Sequence, residues 1–168
     1  MVNGPKKQRA AVEAPRRPRQ ARPRLHAAAI AAGLQRRLGD GDPVVLWEEG
    51  GSRVLVHVRD LRVNVRERGL VVTVPLETLE TGRRQVTVAL ALAHGNETPD
   101  AVVMTDDLPA GDRRLVEHWG RTVQEAVFAA LVELLHEAAR DADARPRGFR
   151  VRDGRLELAL DAGSSNDA

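Results

Sequence analysis

The stretch from Asp112 to Asp141, DRRLVEHWGRTVQEAVFAALVELLHEAARD, is the only long run of helical periodicity in the chain, and any fold must accommodate it. At about 100° per residue, Leu115, Trp119, Val123, Ala126, Val127, Ala130, Leu131, Leu134 and Ala138 fall on one broad apolar stripe, as in a helix lying on a core. Arg113, Glu117, Arg121 and Gln124 hold the opposite side, with Glu117 and Arg121 at the favourable i,i+4 spacing. After Glu125 the division breaks down, because Phe128, Val132 and Leu135 continue the polar side. A helix apolar on two faces must be covered from two directions. Phe128, Val132 and Leu135 are therefore the expected contact surface, either for a second helix of the same chain or for another subunit.

The leading internal cover is the run LHAAAIAAGLQRRL, Leu25 to Leu38, which reads as a short helix. Ile30, Leu34 and Leu38 share one face, Arg36 and Arg37 lie in the last turn, and Gly39 is placed to stop it. Between the two helices the chain reads as an antiparallel meander. Val44 to Glu48, Arg53 to Arg66, Leu70 to Leu76 and Gln85 to Ala93 are separated by turns at Gly50 and Gly51, at Glu67 to Gly69 and at Thr81 to Arg83. Within the second run the apolar phase changes from Val54, Val56 and Val58 to Leu61, Val63 and Val65, so a bulge or bend is expected at Arg59 and Asp60. Pro75, lacking a donor, predicts that its strand lies at an edge or ends there. Thr87, Ala89, Ala91 and Ala93 give the fourth run a small second face, which predicts burial on both sides. Ala101 to Thr105 is a further short run, and Asp112 is the expected N-cap of the long helix. Gly148 to Leu160 carries a hairpin signal around Asp153 and Gly154. The expected architecture is α+β: an antiparallel meander sheet packed against one long helix, with a short N-terminal helix and a C-terminal hairpin. Residues 25–161 form one domain, 1–24 a disordered basic arm, and 162–168 a polar disordered tail.

Charge is unevenly distributed. Residues 1–24 hold eight basic side chains and one acid, net +7, whereas the remaining residues carry 18 basic and 23 acidic groups, net −5. The pI near 9.9 overstates this, since a chain with no Tyr, no Cys and few Lys has little to titrate between neutral pH and 10. The abundance of Arg over Lys reads as the codon bias of a GC-rich bacterial genome. Four prolines in the arm also interrupt any amphipathic helix that a transit peptide would need. The absence of Cys removes disulfides, thiolate nucleophiles and cysteine-bound zinc. No run reaches the roughly 18 apolar residues needed to cross a bilayer, and the expected compartment is the cytoplasm.

Catalytic signatures are not found: there is no Gly-rich phosphate loop and no G-x-S-x-G elbow. Glu133 and His136 form one E-x-x-H, half of a di-iron set, without a second copy. His118 and His136 are roughly 27 Å apart along a helix and cannot share a metal. Asp100, Asp106, Asp107 and Asp112 match no cation loop, and capping accounts for them more simply. His57 and His94 have no evident partner and read as solvated. No catalytic residue, metal or cofactor is called for. The expected function is that of a non-enzymatic protein-interaction, adaptor or assembly module that self-associates, with the arm as a tether to an acidic partner. One alternative is non-specific nucleic-acid binding through Lys6, Lys7, Arg9, Arg16, Arg17, Arg19, Arg22 and Arg24, since Trp119 is assigned to the core and no ring is left to stack on bases. Another is a small enzyme without a recognisable motif. Removing residues 1–24 should shift the melting temperature by no more than a few degrees, and brief trypsin treatment should leave a fragment beginning near Leu25. A larger drop in a thermal melt would mean that the arm packs on the body.

Overall fold

In the computed structural model, which describes residues 24–92, 102–104, 107–141 and 145–161, the chain passes in order through thirteen short and long elements. These are β1 (Arg24–His26), α1 (Ala27–Leu38), β2 (Val44–Glu49), β3 (Ser52–Val56), a 3-10 turn (Val58–Asp60), β4 (Arg62–Arg66), β5 (Gly69–Thr78) and β6 (Gly82–Leu92). There follow β7 (Val102–Met104), β8 (Ala110–Gly111), α2 (Arg113–Asp141), β9 (Arg145–Arg152) and β10 (Arg155–Asp161). The fold is α+β. The main antiparallel sheet has the order β2-β3-β5-β6-β7, with β4 beside β3 on one edge of β5, and β8 beside β7 on one edge of β6. A second sheet has the order β1-β10-β9. No described helix is long and apolar enough to cross a membrane.

Residues opposite one another in an antiparallel register share a face, and here the register aligns the apolar positions into rows. Val63, Val72 and Val88 form one row; Val65, Leu70 and Leu90 the next; Val74 pairs with Val86, and Val56 with Leu76. All the β5 and β6 members are at most 2% exposed. On this face lie α2, with Leu115, Val123, Val127 and Leu131 buried, and α1, with Ile30 and Leu34 at 0% exposure. Asp112 caps α2 as expected, its Oδ1 accepting from the N–H groups of Arg114 at 3.1 Å and Leu115 at 3.3 Å. Gly39, at φ 147°, ends α1 in a conformation that a side chain would strain.

The second run bends where its phase changes, as expected, through the 3-10 turn at Val58–Asp60, and both Val58 and Leu61 are thereby buried. Other expectations are corrected. Pro75 is not at an edge, since β5 is flanked by β6 and by β3 and β4. It sits opposite the break between β3 and β4. Its carbonyl accepts from the His57 N–H at 3.0 Å, and because N–H and C=O of one strand residue point the same way, the missing donor faces the gap. β6 is interior yet not buried on both faces, for Ala89 is exposed. Gln124, assigned to the polar side of α2, is 1% exposed; its amide donates to the Asp107 carbonyl at 3.3 Å, and Arg121 donates to its side-chain oxygen. Leu25 and His26 begin a strand instead of the helix, because pairing with β10 places Leu25 on Leu156 in the core. The 93–101 segment, with His94 and Asp100, lies outside the described residues, as does Asp106.

Two glycines mark close approaches. A Cβ on Gly33 of α1 would stand 2.6 Å from Leu134 of α2, and one on Gly69 would stand 2.1 Å from the Leu90 carbonyl oxygen. The Leu134 side chain can rotate; the Leu90 carbonyl is fixed in the β5–β6 ladder. Gly69→Ala is therefore expected to lower stability by about 2–3 kcal/mol and Gly33→Ala by about 1 kcal/mol, measured by urea unfolding.

Candidate binding groove at the tryptophan pair

Position 47 is set by an irregularity in the sheet. Val44 pairs with Val56 and Val45 with Leu55, but the register then slips, and Trp47 rather than Leu46 faces Val54. In unbroken alternation Trp47 would point away from the helices. The bulge turns it to the inner face, where its ring lies 4.4 Å from that of Trp119, centroid to centroid, at 55° between planes. These are the chain's two tryptophans, and both are half-buried. Trp119 thus belongs to a surface as much as to the core.

The pair forms the floor, with Leu115, of a groove of about 660 Å³. One wall is the β2–β3 corner, with Glu49, Ser52 and Arg53; a second is the first two turns of α2, with Arg114 and His118. The third is the β5–β6 turn, where Thr78 to Thr81 are held by local side-chain bonds. The Thr81 N–H donates to Thr78 Oγ1 at 3.1 Å, and the two hydroxyls lie 2.8 Å apart. This fixed turn presents Leu79 at 82% exposure. The lining carries both signs of charge, with Arg53 and Arg114 as well as Glu49 and Glu80. His118 donates from Nδ1 to the Arg114 carbonyl at 3.1 Å, and the groove has an aromatic and aliphatic floor with a rim of mixed charge.

The residues singled out from the sequence lie elsewhere. Leu135 is 2% exposed, while Phe128 and Val132 are half-buried on the same helix. Among the helical histidines, His136 bonds the Val132 carbonyl at 2.8 Å, and Glu133 is exposed beside it. His57 is not simply solvated: Nε2 lies 2.7 Å from Glu77 Oε2, a diagonal β3–β5 contact. No group of three metal-ligating side chains occurs among the described residues. Of the basic arm, Arg24 is placed in β1, its Nε 3.4 Å from Glu157 Oε1, and Lys6, Lys7, Arg9, Arg16, Arg17, Arg19 and Arg22 lie outside the described residues. The groove itself had one sequence signal, two tryptophans in a chain with only 2% aromatic residues. Comparison with protein-family models, with curated proteins and with solved structures returned no match.

Aromatic contact beyond area burial is worth about 0.5–1.5 kcal/mol. A double-mutant cycle of Trp47→Ala and Trp119→Ala, read by urea unfolding, should return a coupling in that range.

Proposed function

We propose that the protein is an interaction module that binds a protein segment in the Trp47–Trp119 groove. The observation that carries this reading is the combination of a half-exposed tryptophan pair with Leu79, held 82% exposed on a bonded turn at the groove's rim. Tryptophan and arginine are the residues most enriched at energetic centres of interfaces, and a large exposed apolar side chain on an ordered turn loses little conformational freedom on binding. The mixed rim of Arg53, Arg114, Glu49 and Glu80 supplies orientation and partner choice. A partner of matching chemistry carries a large apolar anchor for the floor, flanked by charges of both signs. The basic arm adds a tether.

Since both tryptophans line the groove, intrinsic fluorescence reports on this site without interference from any other. A displayed library of random peptides selected on the full chain should yield binders with a bulky apolar residue between charged ones, each shifting the tryptophan emission. Leu79→Asp, a substitution outside the core, should weaken them at least about tenfold, equivalent to about 1.4 kcal/mol. Selection of no binders, or of binders indifferent to Leu79→Asp and Trp47→Ala, would remove the proposal.

A further inference from the structure

The main sheet ends on one side at β2, which at six residues is longer than the other edge strands: β4 has five, β7 three and β8 two. β2 pairs with β3 alone. Their hairpin closes through Gly50 and Gly51, at φ 58° and 85°, the positive values of a type I′ turn. Such a turn makes Glu49 and Ser52 a hydrogen-bonded pair, and bonded and non-bonded pairs alternate from there. The phase is fixed independently from β5. The His57 N–H donates to the Pro75 carbonyl at 3.0 Å, so Leu55 and Arg53, at alternate positions, also turn their backbone groups to β5, while Val54 and Ser52 turn theirs to β2. Glu48, opposite Arg53, and Val45, opposite Leu55, therefore point their N–H and C=O groups away from the sheet. Among the described residues no backbone group receives them. Val45 is 48% exposed and Glu48 is exposed, so this edge is open to solvent.

The side chains of the edge fall into two sets. After the slip that follows Val45, Trp47 and Glu49 lie on the groove side. By alternation Glu48 projects from the other side, and among the described residues it makes no ion pair. An extended chain added beside β2 keeps the same alternation, with one side chain beside Trp47 and the next beside Glu48. The half-buried indole suits a bulky apolar neighbour, and the unpaired carboxylate a cation.

We infer that the partner segment binds in extended form, as a strand added to the free edge of β2, with a bulky apolar residue beside Trp47 and an adjacent lysine or arginine beside Glu48. The inference rests on the groove reading and adds to it the partner's conformation and register. The backbone groups of Val45 and Glu48 supply bonds that any sequence can make; the side chains beside Trp47 and Glu48 supply the choice among sequences. A bulge in an edge strand discourages unselective pairing, so the backbone bonds alone do not hold a segment here and the tryptophan contact is required.

The test uses the full chain and the tightest peptide from the displayed library that shifts its tryptophan emission, resynthesised with one N-methyl group at each backbone position in turn. Every second N–H of an added strand faces β2. Around the apolar anchor, affinity should therefore fall at least about tenfold at alternate positions and no more than about threefold between them. Glu48→Lys should weaken a peptide with lysine next to the anchor about fivefold, and exchanging that lysine for glutamate should restore binding, a rescue that misfolding cannot produce. Peptides that still depend on Leu79 but lose affinity at consecutive N-methyl positions, or at none, overturn the strand mode and leave the groove reading standing. Absence of the charge-exchange rescue likewise overturns it, and absence of any binder overturns both. A dimer in light scattering that Glu48→Lys dissociates, with no alternation in the peptides, overturns it in favour of a second copy pairing at β2.

Discussion

The apolar face of the main sheet is too wide for one helix. Five strands about 4.8 Å apart present roughly 20 Å, and a helix with its side chains covers about half of that. The architecture depends on a second helix lying beside α2, and a residue without a side chain at position 33 lets α1 approach Leu134 closely. An ion pair from Arg37 to Glu137 closes the same seam. α2 also runs longer than the sheet needs, at 29 residues, and its last turns meet β9 and the small sheet.

What could be read from the sequence followed locality. The extent of α2, its Asp112 cap and the phase change near Asp60 are encoded within a few residues of where they occur, and each appears in the structure near its expected place. Pro75 was misread because the rule that confines proline to edges assumes an unbroken neighbouring strand, and the interruption that accommodates it belongs to residues 58–60. Gln124 was misread because helical periodicity does not reveal that the Asp107 carbonyl waits above it. The groove depends on a slip of register between Val45 and Trp47, invisible in a pattern that alternates equally well without it. The small sheet is assembled from residues 24–26 and 145–161, too far apart in sequence for local periodicity to unite them.

The strand that receives the N-terminal segment is only three residues long and passes directly into α1. Tension on residues 1–23, as when they are held by something that moves, is therefore delivered to β1 along its axis. Antiparallel pairing with β10 resists such a pull in shear, with its few hydrogen bonds loaded together rather than one after another. Beyond them the load reaches α1 and the seam at Gly33 and Leu134, so a pull on the N-terminal segment is passed to the packing of the two helices.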